Sequence, residues 1–313
     1  MASGKKAEKG PKALRAGFVA IVGRPNVGKS TLLNAIIGEK VAIVSPVPQT
    51  TRQNVKGVLT EERGQVVFVD TPGWYQGRDQ LGKFMSRSCA DAVHGVDAII
   101  HLTDTSRPVG EEEYRIVERL KGMKVPVIVG LNKIDLNGEH LGEYLALWED
   151  ARKEKVAEMK GVTFVPLSGL KGTQIEKLVD LIFDVLPEGD FYYEEDVISD
   201  TPQKHLVADI IREKFFLLTR EEIPHSIAVV VEEMRPVKGK TLRISAQVLV
   251  ERDSQKEIVI GKGGQFIKKA GTLARADLES ILDGKVFLDL HVRTQKNWRD
   301  DQSMLADMGY QFT

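Results

Sequence analysis

From residue 17 to about residue 186, short apolar runs alternate with stretches whose apolar residues recur every three or four positions. The runs cover residues 18–22, 66–69, 98–102, 125–131 and 162–167, and the helical patterns cover 29–37, 81–93, 111–120, 141–159 and 174–185. That alternation predicts βα units building a mostly parallel sheet, a doubly wound α/β domain whose ligand crevice lies at the carboxyl ends of its strands. The periodicity lapses between 187 and 202, where helix breakers meet the acids of Glu194-Glu195-Asp196. This segment is expected to be a linker whose composition permits movement between domains. Beyond it the order becomes a helix (203–218), two strands (226–233 and 241–251), a helix (266–282) and a strand (285–292). Such a mixed order predicts a small α+β domain spanning 203–313.

Length agrees with this division, since 313 residues at roughly 100 to 200 per domain make about two domains. A content of 42% hydrophobic and 28% charged residues excludes wholesale disorder and fibrous repeats. Lys plus Arg (44) nearly cancel Asp plus Glu (45), so a polyanion-binding surface must come from local clustering. The one cysteine, Cys89, excludes an intrachain disulfide framework and fits a reducing compartment. Residues 1–16 hold five basic side chains and no apolar core, which reads as a disordered basic tail and not a secretory signal. No run approaches the roughly 18 apolar residues needed to span a bilayer. A soluble, cytoplasmic protein is expected, with peripheral membrane contact left open.

The strongest chemical signal is Gly23-Arg24-Pro25-Asn26-Val27-Gly28-Lys29-Ser30, followed by Thr31, which has P-loop spacing between an apolar strand and a helix. Its glycines let backbone N–H groups wrap phosphate oxygens, Lys29 reaches the β and γ phosphates, and Ser30 binds Mg2+. Asp70-Thr71-Pro72-Gly73 follows the second run and puts a carboxylate where it can hold Mg2+, commonly through water, with the Gly73 N–H near the γ phosphate. Asn132-Lys133-Ile134-Asp135 ends the fourth run. There the Asp135 carboxylate can accept from guanine N1–H and its exocyclic amine, whereas adenine leaves it unpaired, a difference worth roughly 10⁴-fold.

These three elements in this order resemble the GTPases of the TrmE-Era-EngA group. The resemblance implies that Pro48-Gln49-Thr50-Thr51-Arg52 is the first switch loop, with Thr51, or alternatively Thr50, joining Mg2+ in the GTP state. It implies that Ser168-Gly169-Leu170 supports the guanine, Gly169 departing from the usual alanine, and that Asn26 matches an asparagine that helps bind K+ in some relatives. Lys29, Thr51 and Gly73 are then the residues expected at the reacting phosphate. Signalling GTPases orient the attacking water with a glutamine after Asp-x-x-Gly, but Trp74 stands here, so slow intrinsic turnover is expected.

In the second domain, Gly261-Lys262-Gly263-Gly264 forms a G-x-x-G loop between an apolar turn at 258–260 and an amphipathic helix. The bare motif is weak, because Gly169-Leu170-Lys171-Gly172 also satisfies it. Its context is stronger: Ile258, Val259, Ile260 and Ile267 match the KH core pattern, and the helix-strand-strand-helix-helix-strand order resembles type II KH domains. Lys256, Lys262, Lys268, Lys269 and Arg275 face one acid, Glu257, a patch suited to phosphates. The candidate RNA-binding residues are Ile260, Gly261, Lys262, Gly263, Gly264, Lys268, Lys269 and Arg275, with Trp298 either stacking on a base or packed. A P-loop GTPase followed by a type II KH domain resembles the ribosome-assembly branch of the group from residue 17 to about 299. That implies binding to the 3′ end of small-subunit ribosomal RNA and a part in small-subunit assembly. Two other readings stay open: a GTP-dependent partner of another enzyme with a merely structural second domain, and a membrane-associated regulatory GTPase.

Overall fold

The computed structural model describes residues 13–74, 77–237 and 241–310. Most of the expected basic tail, residues 1–12, therefore lies outside the described residues, whereas Arg15 and Ala16 open the first strand and pair with Gly64 and Gln65.

The first domain is a six-stranded sheet in the order β2-β3-β1-β4-β5-β6. The strands are β1 (Arg15–Val22), β2 (Val55–Glu61), β3 (Gly64–Asp70), β4 (Ala98–Asp104), β5 (Val127–Asn132) and β6 (Val162–Pro166). All pair in parallel except β2, which runs antiparallel to β3 at the edge. Strands β3, β4 and β5 are buried along their whole length, which is why they show as continuous apolar runs. Strand β2 is the one that the sequence reading lacks. Its Lys56, Thr60 and Glu61 reach solvent at the sheet edge, so it carries no apolar run, and its pairing with β3 decides its state.

Helices α1 (Lys29–Ile37), α2 (Gln80–Asp91), α3 (Glu111–Leu120), α4 (Leu141–Arg152) and α5 (Ile175–Val185) surround the sheet. Strand β1 sends Val19 and Ile21 into the core shared with α1 and α5, and Ala20 and Val22 into the core shared with α3 and α4. The helix expected over 141–159 stops at Arg152, because Lys153 turns into the left-handed region and Glu149 caps the next turn by accepting from Val156 N. Segment 187–202, expected to permit movement, lies along this domain. The buried Gln65 accepts from the backbones of Tyr192 and Tyr193 and donates to the Tyr193 carbonyl, and Val58 N donates to Ile198 O.

The second domain contains α6 (Gln203–Leu218), the short α7 (Ile223–Ser226), β7 (Ala228–Pro236), β8 (Thr241–Val250), α8 (Asp253–Ile260), α9 (Gln265–Ile281), β9 (Lys285–Thr294) and α10 (Gln302–Asp307). Its sheet order is β7-β8-β9, antiparallel then parallel, with α6, α8 and α9 sharing the core beneath it. The apolar turn expected at 258–260 is instead the end of α8. The Gln255 side chain accepts from the Arg252 and Glu251 backbones and starts this eight-residue helix, too short to show a period. Trp298 is fully buried and donates from Nε1 to Ser226 O at 3.0 Å, so it packs and does not stack on a ligand. Among the described residues no helix is long and apolar enough to cross a membrane.

The segment expected to be the first switch loop, with the residues before it, joins the two domains. Ile43 is buried in the second domain's core, with Val47 packed against it. Arg52 is 3% exposed and lies between the rings of Phe216 and Trp298, 5.5 Å from each centroid. It donates to Ile227 O at 2.9 Å and, at 3.5 Å, to Pro224 O and His225 O. Burial, reinforced by the nearby Arg212 charge, lowers its pKa to about 10, so it stays protonated at neutral pH. Arg52→Ala leaves these carbonyls unpaired beside a cavity and is expected to cost about 3 kcal/mol in urea unfolding. Arg52→Lys, lacking the planar fork, is expected to restore only part of that loss.

Candidate nucleotide site and RNA groove

The P-loop turns from the end of β1 into α1, and its residues fall into two groups. Pro25, Asn26, Gly28, Lys29, Ser30 and Thr31 line a cavity that Thr51 and Gly73 complete. The Arg24 side chain points away from it, pairing through Nε with Glu113 at 2.7 Å and donating to Tyr144 Oη at 3.0 Å. Val27 is buried in the core. The Lys29 ammonium bridges the loop, donating to Gly23 O at 3.1 Å and Arg24 O at 2.9 Å. Burial pulls its pKa below the ordinary lysine range, against the opposing field of Asp70. Gly73 sits so close to the loop that a Cβ there would lie 2.7 Å from Pro25 N, which only glycine avoids.

Three oxygen-bearing side chains gather at one end of the cavity. Ser30 Oγ donates to Asp70 Oδ2 at 2.6 Å and lies 2.8 Å from Thr51 Oγ1. The adjacent Thr50 instead donates to Val47 O, so Thr51 is the switch-loop hydroxyl at this point. Asp70 Oδ1 is buried with no partner, and burial pushes the carboxyl up to about 6 despite the Lys29 charge. An orphaned carboxylate oxygen beside two hydroxyls is a donor set suited to a hard divalent cation such as Mg2+, so these residues fit the metal expected here. Thr71 supports the site from below, donating to Ile21 O at 2.9 Å, and Pro72 is buried beside it.

The residues expected to read the base come from the ends of β5 and β6. Asn132 Nδ2 donates to Val27 O at 2.7 Å while its Oδ1 accepts from Gly169 N at 2.9 Å, which ties the P-loop to the 168–170 turn. Gly169 makes this backbone contact without the usual alanine. Lys133 donates to Asn26 O at 2.9 Å and to Asp104 Oδ2 at 2.6 Å. Burial opposes ionisation of Asp104, but the bonds from Lys133 and Ser106 outweigh it and hold its pKa low. Ser168 Oγ donates to Asp135 Oδ1 at 2.6 Å and so orients that exposed carboxylate. Asn132, Lys133 and Asp135 border a cleft of about 490 Å³ that also touches Leu170.

Asp104, Arg107, Val44, Ser45 and Leu217 take part or border the cleft and were absent from the sequence reading. Asp104 could have been found, since it ends β4 as Asp70 ends β3. Nothing in the local sequence marks the others. Asn26 Nδ2 donates to Pro46 O, linking the P-loop to the switch segment. Trp74 packs, with its ring 4.4 Å below the Arg119 guanidinium and its backbone N–H donating to Gly23 O at 3.3 Å.

On the second domain, Lys268, Thr272 and Arg275 follow one another along α9 and face Val286, Leu288 and Leu290 of β9 across a groove of about 360 Å³. Residues 260–264 stand where α9 begins. Gly261 and Gly264 are half-buried; Lys262 and Gly263 are exposed, and a Cβ at Gly263 would meet no atom within 4 Å, so a ligand backbone has room to approach. Lys269 is exposed but does not line the groove. Gly271, Thr272 and the β9 wall are the additions that only the packing reveals.

A nucleotide-binding α/β domain whose switch loop is docked into an RNA-binding-type module defines a GTPase joined to a KH domain. A family model described as 50S ribosome-binding GTPase matches residues 18–133, and a KH domain model matches residues 222–299. The chain is 44% identical over 297 residues to the GTPase Era of Halothermothrix orenii, covering 95% of this chain and 98% of that protein. It is also similar to two crystal structures, each covering 96% of this chain and all of the matched one with a TM-score of 0.88. One is Era in complex with MgGDPNP and nucleotides 1506–1542 of 16S ribosomal RNA, 40% identical; the other is a variant of Aquifex aeolicus Era bound to GDP and AlF4−, 39% identical. The chain belongs to the Era family of GTPases.

Because burial raises the Asp70 carboxyl to about 6 in the metal-free protein, protons compete with a cation for it as pH falls through that value. The enhancement of GDP affinity by Mg2+ is expected to shrink as pH falls from 7 to 5, measured by titration calorimetry. Asp70→Asn is expected to show little enhancement at either pH.

Proposed function

We propose that the protein is a GTP-driven switch that binds the 3′ end of small-subunit ribosomal RNA and assists maturation of the small ribosomal subunit. One observation carries this reading: adjacent residues of the switch loop serve different domains, with Thr51 at the metal-binding oxygens and Arg52 inside the KH domain. Ser30, Thr51 and Asp70 would hold Mg2+, which when bound neutralises phosphate charge. Lys29 and the N–H groups of the P-loop cradle the phosphates, and the Gly73 N–H faces the γ phosphate. Asp135, held by Ser168, reads guanine. Trp74 supplies no water-orienting group, so hydrolysis is slow until a partner or a cation adds one. K+ beside Asn26 is the cation that this sequence accommodates, and replacing Na+ with K+ is expected to raise the hydrolysis rate.

The groove between α9 and β9 takes single-stranded RNA, with Lys262, Lys268 and Arg275 on phosphates and the apolar β9 wall on bases. That a similar Era structure holds MgGDPNP together with a 16S ribosomal RNA fragment supports RNA binding by this chain. Loading GTP moves Thr51 toward the metal and so acts on Arg52 and the second domain; hydrolysis releases it.

Titrating RNA from the small-subunit 3′ end into protein loaded with GDP or a non-hydrolysable GTP analogue is expected to show tighter binding in the GTP-like state, weakening as salt rises. Replacing Lys262 and Gly263 with Asp should lower RNA affinity at least about tenfold while leaving nucleotide affinity intact. Equal RNA binding in both nucleotide states would remove the switch. Asp135→Asn is expected to shift preference from guanine to xanthine nucleotides, and unchanged preference would remove the base-reading assignment.

A further inference from the structure

The nucleotide cleft has an apolar rim that phosphate and base recognition leave unexplained. Val44, Leu136, Leu170 and Leu217 all border it, although each is exposed, from 38% at Val44 to 73% at Leu170. The first three belong to the nucleotide-binding domain. Leu217 lies in the last turn of α6, in the KH domain, and is 48% exposed. One turn earlier on the same helix, Glu213 Oε1 accepts from Val44 N at 2.9 Å and Oε2 pairs with Lys40 at 2.7 Å. Residues four apart share a helix face, so the face of α6 that holds the switch segment is also the face that presents Leu217. Ile43, buried in the KH core, fixes the same segment from its other side.

We infer that Leu217 is a nucleotide-contacting residue supplied by the second domain, its isobutyl group closing the cleft over the ribose and base of the bound guanine nucleotide. The faces of those groups are weakly polar and lose little by meeting a leucine, and the contact removes apolar surface from water on both sides. Nucleotide release then requires α6 and the segment it holds to draw back, so the KH domain sets the lifetime of the bound nucleotide. The inference rests on the placement of guanine at Asp135 proposed above.

The test is the release rate of radiolabelled GDP, chosen because it carries no bulky label near the ribose, from the full-length wild type and from Leu217→Ala, Leu217→Asp and Leu273→Asp. Leu273 is an exposed leucine of α9 away from the cleft. Release is expected to quicken about 3-fold for Leu217→Ala and about 10-fold for Leu217→Asp, with Leu273→Asp unchanged. Wild-type release from Leu217→Asp overturns the inference. Leu217→Trp gives a second readout that needs no loss of packing. Its emission should change on adding GDP by more than the wild-type signal from Trp74, Trp148 and Trp298, and an emission change no larger than wild type means no contact. If Asp135→Asn switches the base preference while the Leu217 variants behave as wild type, only this inference fails. If Asp135→Asn leaves guanine preferred, the placement of the base fails and the inference falls with it.

Discussion

A guanidinium buried between two aromatic rings is tolerable only while its N–H groups have acceptors, and Arg52 finds those acceptors on the far domain. Thr51, its neighbour, has its hydroxyl 2.8 Å from Ser30 Oγ at the candidate metal site. Consecutive Cα atoms are about 3.8 Å apart, so the two anchors cannot be adjusted independently. On the proposed role of Thr51, a cation that draws it would pull Arg52 from its carbonyls or move the KH domain with it. Arg212, which donates to Thr50 O at 2.9 Å, and Gln53, which donates to Met308 O at 3.0 Å, tighten the same joint from either side.

Charge follows the same logic. Lys40 and Lys214 both pair with Glu213 and Asp277, so two cations meet two carboxylates where the switch segment, α6 and α9 converge. A second tie runs from the start of α2, where Asp79 caps Gly82 N and pairs with Arg299, which in turn donates to His225 O. Partly buried pairs of this kind contribute little net stability after desolvation, but removing one partner is costly, which favours a defined arrangement of the two domains over a loose one. Asp277 lies on α9, the helix that also carries Lys268 and Arg275. The contacts therefore run from the nucleotide cleft to the RNA groove through packed elements.

The end proposed to read guanine is built differently, as a brace within one domain. Asn132, Lys133, Asp104 and Ser168 satisfy one another and the P-loop backbone, which leaves Asp135 oriented and exposed. A carboxylate held in place before its ligand arrives spends less binding energy on ordering and discriminates more sharply. Asp70 is the opposite case: a buried group with an unpartnered oxygen whose pKa near 6 records its burial, which the Lys29 charge only partly offsets.

The sequence alone determined the chemistry and most of the frame. Lys29, Ser30, Asp70, Asn132 and Asp135 could be named as candidates because they stand at short spacings after buried strands, whose apolar runs are local signals. The G-x-x-G loop was legible from its glycine spacing, and α9 from its length and amphipathic period. Strand β2 and helix α8 were not, because an edge strand with charged residues and a two-turn helix owe their state to pairing and capping partners elsewhere in the chain. Trp298 could be placed only by packing, since the same aromatic suits a core or a base. The tertiary structure alone decided that residues 43–52 belong to both domains, that segment 187–202 is held on the first, and that Leu217 reaches the nucleotide cleft. Each of those facts joins residues more than a hundred positions apart, and no pattern within a local window can report such a contact.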